Sequence, residues 1–257
     1  QIEGQQLQVG KTSLSVGQIF YKNTETARLT ASAHSQKGSI FIDSLLQSTA
    51  LPELALRCQS LANQELAMTT DCSVDKTKIR SDQLPPWLKI PNTLDFSGVL
   101  AAKAHYSLAG NSSNGELTIE LQNGELNSGE NHLKGISTSL KLPRLPLLQS
   151  APSQTLAIDS INLGRLRLTK ANIWYRLEDQ HTLLIERSQM HWCQGSVESG
   201  GFRLTPSTKE LATTLYCDRL RFSELLDQFG VADTEGEGSL NGRLPIVISD
   251  KTIHFED

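Results

Sequence analysis

The residues best suited to chemistry are Lys11, Thr12 and Ser13 in the segment GKTS, His191 beside Cys193, and the alternating acids Asp233, Glu235 and Glu237 in DTEGEGS. A phosphate-cradling loop needs another glycine five positions ahead of Gly10, because its backbone N–H groups curl around the anion. Gln5 holds that position and Gly4 misses it by one residue, so GKTS reads as strand sequence. His191 and Cys193 would share one face of a strand, but a cysteine with an available disulfide partner is a poor metal ligand. The acids of DTEGEGS have glycines to bend a loop around calcium yet lack the bidentate carboxylate that completes such a site, and they read as a solvated turn. Asn111-Ser112-Ser113 fits the N-glycosylation triplet, which has meaning only in a eukaryotic secretory setting. Neither G-x-S-x-G nor H-E-x-x-H is present. With no convergent nucleophile, base and oxyanion donors, the expectation is a non-enzymatic protein without metal, cofactor or small-molecule substrate, acting through its surface.

Composition narrows the classes further. The 257 residues are 38% hydrophobic and 20% charged, with a formal net charge of -4, so neither the basic footprint of a nucleic-acid binder nor an acidic disordered tail is present. No apolar run approaches the roughly 20 residues that span a bilayer as a helix. Cys58, Cys72, Cys193 and Cys217 have no C-x-x-C spacing, and sequential pairing into two disulfides is the simplest expectation. Closing loops of about 15 and about 25 residues would contribute about 3 and 3.5 kcal/mol, and such bonds persist in an oxidising compartment.

The elements that carry these residues are strands. In GELTIELQNGEL, residues 115–126, Leu117, Ile119 and Leu121 alternate with Glu116, Thr118 and Glu120. Asn114-Gly115 and Asn123-Gly124 predict hairpin turns at either end. The alternation returns through Ile161 and Leu163, Leu166 and Leu168, then Ile173, Tyr175 and Leu177, with Gly164 marking a change of register. Short helices are predicted at IDSLLQS (42–48), RLPLLQS (144–150) and FSELLDQFG (222–230), the last capped by Ser223 and ended by Gly230. Prolines at 85, 86 and 91 mark a joint. The expected organisation is a β-rich segment over 1–84 holding a Cys58/Cys72 hairpin, a Pro-rich joint over 85–97, and a β segment over 98–257 with short helices near 144–150 and 223–229.

The closing stretch GEGSLNGRLPIVISDKTIHFED alternates like strand, and an apolar strand edge left bare is an open template for pairing; the expectation is a segment of a longer protein. Together with LTKANIWYRLEDQHTLLIERSQMHWCQGSVESGGFRLTP and DRLRFSELLDQFGVADTEGEG, it resembles the YdbH-like family of AsmA-like envelope proteins, related in architecture to TamB and YhdP. The matching motifs are the glycine-rich turn at Gly195, Gly200 and Gly201, the FSELLDQFG helix, and Gly236 and Gly238 through Gly242 to Pro245. The resemblance implies an elongated, curled antiparallel sheet with an apolar groove, working in the periplasm of a protein anchored in the inner membrane and carrying phospholipid toward the outer membrane. A dicarboxylate-transport label also attaches to the family, but dicarboxylates call for converging Arg or Lys forks and the basic residues here are dispersed.

On this reading the groove face carries Leu117, Ile119, Leu121, Ile161, Leu163, Leu166, Leu168, Ile173, Tyr175, Leu177, Leu183 and Ile185. The expected partners are phospholipid and other envelope proteins at sheet edges, with no nucleic acid. The same alternation would also build a closed β-sandwich, in which these residues are core, serving as an envelope scaffold or secretion-system accessory module.

Overall fold

The computed structural model describes residues 11–21, 24–63, 65, 67–84, 91, 93–208, 210–230, 238–249 and 252–255. These form strands β1 (Thr12–Tyr21), β2 (Thr24–Gln36), β3 (Ser39–Ser48), β4 (Ala55–Ala62), β5 (Met68–Arg80), β6 (Asp95–Ala109), β7 (Ser112–Ser128) and β8 (Asn131–Leu142). They continue as β9 (Gln154–Leu163), β10 (Leu166–Leu177), β11 (Leu183–Trp192), β12 (Gly195–Ser199), β13 (Phe202–Leu204), β14 (Glu210–Arg221), β15 (Ser239–Ser249) and β16 (Thr252–Phe255), with one α-helix, α1 (Phe222–Phe229), between β14 and β15. Strands are neighbours in chain order from β1 to β12, then β14, β15 and β16, while β13 pairs with β11. This is one open antiparallel sheet. Hairpin connections keep each strand beside its sequence neighbour, so among the described residues the strands form a single sheet and not the two packed sheets of a closed sandwich.

Contacts divide the chain into two compact units. The first comprises Gln1–Asn92, Ser97–Glu120 and Lys141–Leu147; the second comprises Thr93–Phe96, Leu121–Leu140 and Leu148–Asp257. In the first unit, β2 to β6 pair along most of their lengths. Cys58 and Cys72 stand directly opposite on β4 and β5, with Cα atoms 4.1 Å apart, and form a disulfide. In the second unit, α1 lies on the cluster formed by Trp192, Cys193, Val197, Cys217 and Leu220, against which its Leu225 packs.

Several expectations are corrected. Residues 42–48 are strand, not helix: Ile40, Ile42 and Leu46 keep period-two alternation between the ladders to β2 and β4, and this pairing overrides the weak helical preference of a seven-residue stretch. Residues 144–147 are bends without a helix, as Pro143 and Pro146 remove backbone donors. Asn114-Gly115 and Asn123-Gly124 lie inside β7, and the turns fall instead at Gly110-Asn111 and Gly129-Glu130. Gly115 is buried against Tyr106 and Gly124 against Ile136, so both glycines serve close packing between strands. Helix α1 forms as expected and ends at Gly230, whose φ is 79° and whose N–H donates to the Asp227 carbonyl. Its N-cap is Arg221, not Ser223.

Gly164 belongs to a hairpin turn, and the change of face occurs at Lys170, whose φ is 51°. Leu168 before it and Ala171 after it nonetheless belong to one cluster with Ile158 and Ile161. Residues of unlike parity therefore share a face, because one left-handed residue slips the alternation. Asn123 on β7, with φ 50°, and Gly135 on β8, with φ 69°, make equivalent slips. A Cβ at Gly135 would collide with the Asp159 carboxylate, so the neighbouring strand fills the space that glycine leaves. Of the Pro-rich joint over 85–97, residues 85–90 and 92 lie outside the described residues and 95–97 open β6, and the acids Asp233, Glu235 and Glu237 also lie outside the described residues.

Candidate functional site

In the first unit the ladders align side chains into rows that cross five strands. Leu29, Leu46, Leu56, Val74 and Ala102 form one row; Ala31, Ser44, Cys58, Cys72 and Ala104 form the next; Ala33, Ile42, Ser60, Thr70 and Tyr106 form a third. These rows make one continuous face of aliphatic and small side chains, crossed by the disulfide. Gly115 approaches the Tyr106 side chain, which places Leu117 and Ile119 of β7 on the same face by alternation. The face is neither buried nor bare: nearly all these residues are half-buried, and Leu56 is 36% exposed.

The intervening rows are mainly polar, with Leu45 the apolar member of the row Thr30, Leu45, Arg57, Ser73 and Lys103. Ser32, Asp43, Gln59, Asp71 and His105 align across the same strands, with Gln59 Nε2 donating to Asp43 Oδ1 at 3.0 Å and His105 Nδ1 2.7 Å from Asp71 Oδ1. Arg57, on the adjoining row, pairs with Asp75. A concavity of about 1060 Å³ lies along these polar rows, bordered by Thr30, Asp43, Arg57, Asp71 and Lys103. Within it Asp43 accepts from Gln59 and Asp71 lies against His105, while Arg57 reaches out to Asp75.

In the second unit, register sets Leu163 opposite Leu166 and Ile161 opposite Leu168. It also sets Tyr175 opposite Ile185 and Leu177 opposite Leu183. Ile161 and Ile185 are buried, each 8% exposed, whereas Leu163 is 43% exposed at the edge of its hairpin turn. Ile173, Tyr175, Leu177 and Leu183 are half-buried. The Tyr175 hydroxyl bonds to Thr138 Oγ1 at 2.9 Å, which fixes the ring across the sheet. Leu121 is half-buried and touches the space beside Gly124.

Sequence reasoning found Leu117 and Ile119 on this face but missed the part carried by β2 to β6. Ile40, Ile42 and Leu46 alternate plainly enough to have marked it, but the helix assigned to 42–48 concealed the pattern.

The chemistry available is modest. Cys193 and Cys217 are buried free thiols, so the second expected disulfide is absent. Cys193 occupies the turn between β11 and β12, where Gln228 Nε2 lies 3.5 Å from its sulfur, and Cys217 stands opposite Val197 within the β12–β14 ladder. Burial, reinforced by the Glu224 carboxylate, pushes the Cys193 thiol up to about 11, and burial raises Cys217 as well. Both are therefore poor nucleophiles near neutrality. Arg203, helped by Arg176, holds the Glu178 carboxyl below its usual range through paired hydrogen bonds at 2.7 and 3.1 Å from Arg203. Among the described residues no group of three or more His, Cys, Asp or Glu is placed to hold a metal ion. The arrangement is suited to supporting apolar molecules on a wall whose reverse side is wetted.

Residues 2–257 match the family model for YdbH-like proteins, described as intermembrane phospholipid transport protein YdbH. No curated protein and no solved structure matches the chain.

Proposed function

The chain belongs to the YdbH-like family, and we propose that it is a periplasmic segment of an intermembrane phospholipid bridge whose apolar face shields acyl chains from water. The observation that carries this is the half-covered state of the rows on β2 to β6, whose aliphatic and small side chains, interrupted by Ser44, Ser60 and Thr70, stay partly exposed along five strands. A tail of about sixteen carbons exposes apolar surface costing on the order of 10 kcal/mol in water. A continuous wall of Leu, Ile, Ala and Val removes most of that cost without requiring any bond to be made or broken. The polar reverse face keeps such a wall soluble. Among the described residues no helix is long and apolar enough to cross a membrane.

The test is site-specific photocrosslinking in bacterial envelopes, with the probe at Ile42 or Ile173 and a control probe at Gln59 on the polar rows. Phospholipid should attach at Ile42 and Ile173 and not at Gln59. Protein adducts at all three positions with no lipid would replace this reading with an envelope scaffold.

A further inference from the structure

A cavity of about 810 Å³ opens in the second unit beside the Gly164–Arg165 turn, the Cys193–Gln194 turn and α1. Arg165, Arg167, Glu224 and Asp227 border it, together with Trp192 from the apolar cluster. The cavity is held open by its surroundings. Gln228 Oε1 accepts both the Trp192 indole N–H at 3.0 Å and the Arg167 backbone N–H at 3.1 Å, which fixes α1 against β10 and β11. Gly230 has no side chain where the Arg165 guanidinium lies, so Arg165 is seated on the helix end.

Over the polar rows of the first unit the Arg57 guanidinium has an acidic partner in Asp75. Among the described residues the guanidinium groups of Arg165 and Arg167 have no acceptor, and the Asp227 carboxylate has no donor. Glu224 is engaged by Gln194 and stands 3.6 Å from Arg221. Two unclaimed cations therefore border one cavity with an unclaimed anion. Apolar surface is adjacent: Leu163 and Phe229, 43% and 53% exposed, immediately precede the Gly164 and Gly230 of the cavity wall.

We propose that this cavity receives the headgroup of a zwitterionic phospholipid bearing a primary amine, with the phosphodiester on Arg165 and Arg167 and the ammonium on Asp227. Guanidinium forks match phosphate oxygens, and each charge-assisted hydrogen bond is stronger than a neutral one. A free phosphate would leave Asp227 without a cation, and a phosphoglycerol headgroup would offer it only neutral hydroxyl donors in place of an ammonium. A quaternary ammonium has no N–H to donate and is recognised by open aromatic faces instead. This assignment rests on the lipid-shielding reading.

The experiment loads the intact chain from vesicles of equal phosphatidylethanolamine and phosphatidylglycerol and measures bound lipid by native mass spectrometry, with a photocrosslinker at Ile173 reporting the tails. The native chain should be enriched in phosphatidylethanolamine. Arg165→Ala with Arg167→Ala should lose about tenfold in lipid affinity, and Asp227→Asn should abolish the enrichment while lipid still binds; tail crosslinks should persist in both. The same lipid ratio in native chain and variants, with tail crosslinks intact, would overturn the headgroup assignment alone. Absence of lipid and crosslinks from the native chain would overturn the shielding reading with it. In a second arm the Trp192 indole resonance is followed by NMR; glycerophosphoethanolamine should shift it at lower concentration than inorganic phosphate. Equal response to both would mean a general anion site and would also overturn the assignment.

Discussion

In the second unit Leu220 is 0% exposed and Val197 2%, inside a cluster closed over by α1, whereas the apolar rows of the first unit remain half-covered along five strands. The buried hydrophobics of the first unit, among the described residues, are Leu51, Ala55, Ile79 and Leu142, none of them in the three aligned rows. The two units therefore hold their strands together by different means. One packs a core; the other relies on long backbone ladders and a covalent bond between adjacent strands. A surface that accepts apolar ligands, as proposed for these rows, would give up the packing that closed cores use, and the disulfide would offset part of that loss.

The comparison is broken most directly by truncating one apolar side chain in each unit. Leu220→Ala should destabilise the second unit by about 3 to 4 kcal/mol, because a fully enclosed site leaves a cavity. Ile42→Ala should destabilise the first by about 1 kcal/mol, since a half-exposed side chain has less burial to lose. Denaturant unfolding followed by hydrogen exchange in each unit measures both. An Ile42 cost matching that of Leu220 would show a packed core in the first unit and remove the basis of the shielding face. Next in size is reduction of Cys58–Cys72, separated by 14 residues. Opening this loop should cost about 3 kcal/mol and lower the melting temperature by several degrees. Amide protection should fall on β4 and β5 while α1 and its cluster keep theirs.

The smallest effect is alkaline. Cys193 has its thiol raised in the folded state, so the folded chain holds the proton more tightly than the unfolded chain. This contribution is complete below pH 9 and is lost as pH rises from 9 toward about 11. Cys193→Ser should flatten the decline of stability across that window, and iodoacetamide should label Cys193 at pH 8 only after unfolding.

Much of the strand architecture was legible because period-two alternation is a local property; Leu117 through Leu121 and Ile173 through Leu177 can be read without knowing their neighbours. The helix at 222–230 was legible for a similar reason, as Gly230 takes the left-handed conformation that ends a helix. The Cys58–Cys72 hairpin followed from short sequence separation. What escaped was set by partners. Asn-Gly pairs signal turns in isolation, yet Gly115 and Gly124 are consumed by side chains from adjacent strands. Cys193 and Cys217 look as pairable as Cys58 and Cys72, but only the latter stand opposite each other on adjoining strands. The cavity beside α1 was illegible because Arg165, Arg167 and Asp227 meet only through the register of β10 and the docking of the helix.

The left-handed residues Asn123, Gly135 and Lys170 impose a condition on chain length. Each shifts the inside-outside phase of its strand by one, and the pairing of β8, β9 and β10 continues in the same registration beyond the shift. A single deletion beside Lys170 would therefore act as a frameshift for faces, turning Ile173 and Tyr175 to the wetted side and Trp174 and Arg176 to the dry one. Only a compensating insertion before Ile173 would restore the phase. The strands of this region are thus fixed in length more tightly than the loops that join them.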